Sequence, residues 1–435
     1  MTQHLESREP RDGYAEGLVE IGAEYDDVFV LDGDCAKANY TTRFQERFPD
    51  RFFNLGIAEC DIVGTAAGMA AMGRVPFANA YGNFLTGRGF DQVRVSVAYS
   101  GRNAKIVGHN AGTTAAQEGA THLPLEDVAI MRALPEMTVI VPCDAVEMRK
   151  AVHAVHALDG PVYLRVGKLP VPVVTDEDTP FEIGKAVRLR EGDDVTLLTT
   201  GSMASETLGA ADLLAAEGVK AEVLHLHTIK PLDAEAVIAS VTKTGCAVTA
   251  EEHSVVGGLG SAVAEVLSEH LPAPLERVGT KDTFGLSGTM DELFDYFGLR
   301  AANIAQAARA PQRRLSGPFS TVVPVTVLPR PTSRPRRPYD RATLSVRKTS
   351  KPPLNSSRPL NILVTSIKLL NNYSCSHLNY NKIAHNLQAF YAITAGQPHN
   401  QGTPRTPAPP RHPQYRQPET QTGAEERAGG EGPQK

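Results

Sequence analysis

Over the first 310 positions, apolar residues fall into two alternating patterns. Tyr14–Tyr25 carries Leu18, Ile21 and Tyr25 at helical spacing, and the apolar run 28–32 follows as a short buried strand. Glu59–Met72 reads as a helix rich in small residues. After it come a strand at 75–79, a helix over Phe84–Tyr99, strands at 104–108 and 138–141, a helix over Ala145–Ala157 and a strand at 161–166. Short apolar strands alternating with helices predict a mainly parallel sheet covered on both faces, the architecture of an α/β domain.

The pattern breaks at Lys168–Glu182, where three prolines and an acidic cluster interrupt any helical period, as expected of an interdomain linker. It then restarts with strands at 195–200, 221–227, 246–252 and 275–279, and helices over Ser202–Glu217, Ala234–Val241 and Gly258–His270. The chain is thus expected to hold two consecutive three-layer α/β domains, at 1–170 and 186–310, joined by a linker at 171–185.

Composition separates the remainder. Residues 311–435 contain 18 Lys and Arg against 5 Asp and Glu, and 18 of the 31 prolines. Such a basic, proline-rich segment is expected to be extended and solvated, and it is either an interaction tail or an extension without a selected role. The body is acidic, which argues against nucleic-acid binding there. No run approaches the roughly 18–20 apolar residues of a membrane span. The N-terminus lacks the apolar stretch of a secretory leader, and the five scattered cysteines form no CxxC pair. A cytoplasmic setting is expected.

Two stretches can carry chemistry. In 51–94, Glu59 sits where a loop after a strand turns into a helix; by spacing alone it could simply complement the helix N-terminus. Tyr81 and Phe84 lie three residues apart, a spacing equally suited to core packing. In 105–147, a long polar loop after a strand carries His109, Asn110, Glu118 and His122, at the end of a strand where α/β folds bind ligands. Gly33-Asp34-Cys35 reads as an ordinary strand end, and Gly258–Val263 lacks the third glycine of a dinucleotide fingerprint.

In order, the motifs IAE (57–59), GRVPFANAYGNFLT (73–86), FDQVR (90–94), EGATH (118–122) and MTVIVP (137–142) resemble the pyrimidine-binding half of transketolases. LHTIKPLD (226–233) and AEEHSVVGGLGSAVAEVL (250–267) resemble the C-terminal domain of the same family. The likeness spans about residues 10–305 and is nearest to the C-terminal subunit of split, two-chain transketolases. It implies a thiamine diphosphate enzyme that moves a two-carbon ketol unit from a ketose to an aldehyde. Glu59 then matches the carboxylate that hydrogen-bonds the cofactor's aminopyrimidine, Phe84 the aromatic packed on that ring, with Tyr81 one turn before it, and His122 a histidine that contacts substrate. The Gly-Asp-Gly…Asn motif that holds the diphosphate and Mg2+ is missing. The resemblance therefore implies an N-terminal partner subunit carrying that domain, with two copies of each chain.

At the substrate positions the sequence departs from the family. Glu118 stands where an aspartate is usual, Asn110 where a histidine is, with His109 displaced by one, and Lys168 where an arginine is. A lysine cannot form the arginine's bidentate fork, so a keto sugar other than the usual pentose phosphate is plausible. Two other readings stay open: a β-type subunit of a 2-oxo acid dehydrogenase, and a non-catalytic assembly subunit of a thiamine enzyme.

Overall fold

The computed structural model describes residues 5–316, with side chains up to 309. The basic, proline-rich tail lies outside the described residues. Among the described residues no helix is long and apolar enough to cross a membrane.

Two sheets organise the chain. The first has seven strands in the spatial order Thr228–Lys230, Thr138–Ile140, Val162–Arg165, Lys105–His109, Val75–Tyr81, Val28–Asp32 and Phe52–Asn54. All neighbours are parallel except the first pair. The second has five strands in the order Leu275–Thr280, Ala247–Ser254, Val195–Thr199, Ala221–His225 and Val187–Arg190, parallel apart from the last. The strand alternation divides the core of the first sheet. Val28, Val30, Phe77 and Val107 face helices Pro10–Glu24 and Ala145–Ala157, and Leu31, Ala78, Ala80 and Ile106 face helix Glu59–Ala71.

Helix Glu59–Ala71 forms because Ile62, Val63, Ala66 and Ala67 recur on one face and are buried. Each of its two large side chains contributes about 1.5–3 kcal/mol by leaving water. The expected helix over Phe84–Tyr99 is instead three pieces: Gly82–Gly87, Phe90–Gln92 and a wide-turned segment Val93–Tyr99. The interruption falls at Arg88-Gly89. A Cβ on Gly89 would lie 2.8 Å from the Leu85 carbonyl oxygen and 3.5 Å from that of Glu59, so only glycine permits this approach.

The linker is tied down more firmly than its composition suggests. Val171–Pro172 pairs with Ser7–Arg8, and Lys150 Nζ donates to the carbonyls of Asp176, Glu177 and Thr179 at 2.5–2.8 Å. Strand Thr228–Lys230, from beyond the linker, closes the edge of the first sheet.

Candidate active site

The candidate residues gather where parallel strands end. Strand Phe52–Asn54 leads through a loop, with Gly56 at φ 75°, into the helix that begins at Glu59. Strand Val75–Tyr81 ends on Tyr81 and turns at once into the short helix carrying Phe84. Strand Lys105–His109 runs into Asn110 and the loop containing Glu118 and His122, and Lys168 lies three residues beyond strand Val162–Arg165. The carboxyl ends of parallel strands are the ligand-binding side of such sheets.

Two contact groups result. In the first, Phe84 is central. Its ring lies 6.2 Å from that of Tyr81 in a stacked pair and 4.9 Å from that of His122, edge to face. Arg88 Cζ stands 4.2 Å over the Phe84 ring, and Arg88 Nη2 reaches Glu59 Oε1 at 3.2 Å. Glu59 is buried at 4% exposure. In the second group, Asn110 Nδ2 donates to both oxygens of Glu118 at 3.0 and 2.9 Å, and Lys168 Nζ donates to Glu118 Oε1. Tyr81 joins the groups: burial first, then the negative charge of Glu118, raise its phenol above the ordinary range.

His109 sits elsewhere. It is buried, with Nε2 at 2.9 Å from Asn79 Oδ1, an oxygen that also accepts from the Tyr14 hydroxyl at 2.5 Å. Burial, and then the charge of Arg11, push its imidazole down to about 3, so it is neutral over the physiological range. Gly33-Asp34-Cys35 is the strand end expected of it: the strand stops at Asp32, and exposed Asp34 accepts from Asn54 Nδ2 at 2.9 Å.

Sequence reasoning missed Arg88 and the connection to the second sheet. Arg88 stands four residues after Phe84, the spacing that brings side chains together on one helical face. The loop 110–123 is held from the other domain. Thr113 Oγ1 donates to Glu252 Oε2 at 2.8 Å and Ser287 Oγ to the Gln117 carbonyl at 2.7 Å, and Leu123 and Leu125 pack on Leu293. Beneath it, Arg165 grips Asp127 through Nε at 2.8 Å and Nη2 at 3.1 Å, and all these groups are buried.

A family model for the transketolase pyrimidine-binding domain matches residues 7–173, and a model for the transketolase C-terminal domain matches residues 184–304. The chain belongs to the transketolase family. Among its relatives is the 6-deoxy-6-sulfo-D-fructose transketolase subunit SqwH of Clostridium sp. (strain MSTE9). That protein is 48% identical over 304 residues, which cover 70% of this chain and 94% of the relative. One subunit of the apulose-4-phosphate transketolase of Phocaeicola vulgatus is 36% identical over 68% of this chain and 96% of its own length. A solved structure described as a split gene transketolase, inactive beta4 tetramer, superposes with a TM-score of 0.66 at 44% identity, covering 70% of this chain and 98% of that one. Two consecutive α/β domains with mainly parallel sheets are thus the transketolase pyrimidine-binding and C-terminal folds.

Thiamine diphosphate is the cofactor of transketolases, and the residues here suit its aminopyrimidine end. A flat group bearing N–H donors already lies against Phe84 and within hydrogen-bonding range of Glu59: the Arg88 guanidinium.

Proposed function

We propose that this transketolase subunit supplies the pyrimidine-binding half of an active site shared with a second chain. The reaction is transfer of a two-carbon ketol unit from a ketose to an aldehyde acceptor. The partner, an N-terminal transketolase-like subunit, carries the diphosphate and Mg2+ site, with two copies of each chain in a cytoplasmic enzyme. Domain limits of 1–170 and 186–310, joined by 171–185, belong to the same reading. The observation that carries it is the buried carboxylate of Glu59 at the start of a helix, linked through Arg88 to the ring of Phe84.

When bound, thiamine diphosphate supplies the carbon nucleophile and the electron sink for carbon–carbon cleavage. This chain's residues bind, orient and move protons. The Glu59 carboxylate, already paired with an N–H donor, would exchange a proton with the pyrimidine ring nitrogen. Phe84 presents a flat apolar face to that ring, backed by Tyr81. His122, whose Nδ1 lies 2.8 Å from Thr121 Oγ1, faces the same aromatic pair and exchanges hydrogen bonds with substrate hydroxyls. Asn110, Glu118 and Lys168 form the polar wall for the rest of the sugar. A ketose with an anionic terminus is the favoured donor: two relatives are named for a sulfo sugar and a sugar phosphate, and Lys168 offsets the Glu118 charge that would repel such an end.

The test is Glu59→Gln in the two-chain enzyme. Loss of a proton-transferring carboxylate is expected to lower kcat by about 100-fold or more, with the subunits still assembled. Unchanged turnover would reject the catalytic role and favour an assembly subunit.

A further inference from the structure

We propose that Arg88 is a placeholder for the cofactor's aminopyrimidine, one that must swing out before the cofactor can seat. The inference rests on the thiamine reading above.

The guanidinium makes both contacts assigned to the pyrimidine. Its Cζ stands over Phe84, 4.2 Å from the ring centroid, and it presents Nη2 to Glu59 Oε1 at 3.2 Å. A planar cation with N–H donors in its own plane is the side chain nearest in shape and polarity to a protonated aminopyrimidine. The two groups cannot occupy the same face of Phe84 at once.

Exposure decides which partner moves. The Glu59 side chain is 5% exposed and that of Arg88 53%. Glu59 is fixed in the first turn of its helix, whereas Arg88 can rotate into solvent without opening the core. Backbone placement points the same way: Arg88 occupies the break between helices Gly82–Gly87 and Phe90–Gln92, where Gly89 brings the chain close to Glu59.

There is an energetic reason for such a device. A carboxylate buried at a helix start destabilises the fold unless a charge or donor pairs with it. The cofactor supplies that donor in the loaded enzyme, and Arg88 supplies it beforehand. Cofactor affinity is then reduced by the fraction of molecules with Arg88 seated; seating in about 70–90% of molecules weakens binding threefold to tenfold.

The experiment uses the complex of this chain with its partner subunit, purified from its native cells and stripped of cofactor. Thiamine diphosphate binding is measured by titration calorimetry for the wild type, Arg88→Ala and Arg88→Lys. Arg88→Ala is expected to bind about threefold to tenfold more tightly. Arg88→Lys keeps the charge but not the flat fork, so it should fall between. The full-length free chain carrying Arg88→Ala should melt below wild type, and that difference should shrink in a Glu59→Gln background. Unchanged or weaker binding by Arg88→Ala would overturn the placeholder while leaving the thiamine reading intact, since a plain ion pair or a grip on the diphosphate gives that result. Failure of the wild-type complex to bind the cofactor would overturn both.

Discussion

Thr113 and Glu252 meet across the joint between the two domains, hydroxyl to carboxylate at 2.8 Å, although 139 residues separate them in sequence. Thr113 belongs to the loop that carries Glu118 and His122; Glu252 lies on a central strand of the second sheet. A Cβ on Gly112, where φ is 58°, would come within 2.7 Å of the Glu252 carboxyl carbon. The second domain therefore holds the 110–123 loop in place directly. Thr113→Val should remove a charge-assisted hydrogen bond and loosen the loop. Steady-state kinetics are expected to show donor KM rising several-fold with a smaller fall in kcat, whereas equal loss in both would place Thr113 in the chemical step itself.

Asp127 and Arg165 form a buried bidentate pair, with the Tyr163 hydroxyl donating to the same carboxylate at 2.7 Å. Arg165→Met leaves Asp127 without its cation. Urea denaturation should show a loss of about 3–5 kcal/mol. Replacing Asp127 as well should recover part of that loss; the rest reflects buried Glu252, which Arg165 also faces at 3.5 Å.

Lys168 and Glu118 cancel one another's charge, and Asn110 steadies the carboxylate. Lys168→Met leaves a carboxylate facing any anionic end of the donor. Donor KM is expected to rise by about tenfold, equivalent to 1.4 kcal/mol, and adding Glu118→Gln should recover part of it. An unchanged KM in the single variant would show that the anionic end lies elsewhere.

Stability should depend on pH through Glu147 and His225, a fully buried pair at 2.8 Å. Burial pushes the Glu147 carboxyl up, but the charge and hydrogen bond of His225 outweigh it and hold it at about 2, below its ordinary 4.5. Burial pushes His225 down, and Glu147 more than reverses this, raising it above 6.5. The carboxyl's contribution is complete above about pH 4.5 and is lost as pH falls toward 2; the imidazole's is complete below about 6.5 and fades as pH rises through its higher folded value. Melting curves should therefore show the difference between wild type and a Glu147→Gln/His225→Gln double variant greatest near pH 4.5–6.5. A difference that is flat with pH would remove the pair from the pH response.

The alternation of strands and helices could be read along the chain because each signal is local. Glu59, Phe84 and His122 could be read because they stand in long motifs whose order resembles the transketolase family. Arg88 escaped notice because its partner Glu59 is 29 residues away, and the two meet only after Gly89 brings their helices together. His109 had a usable signal. It shares a strand face with Val107, and Val107 packs in the cluster that contains Tyr14, so period-two alternation sends the imidazole toward the helix over Pro10–Glu24. Strands Val187–Arg190 and Thr228–Lys230 carry almost no periodic signal at three or four residues each, and tertiary pairing alone defines them.

Strand Thr228–Lys230 leaves the second domain to complete the edge of the first sheet. A fragment cut at the linker would bare the backbone of Thr138–Ile140, an open margin that recruits other chains into non-native ribbons. A chain break between the two domains would therefore cost the first sheet its closing strand.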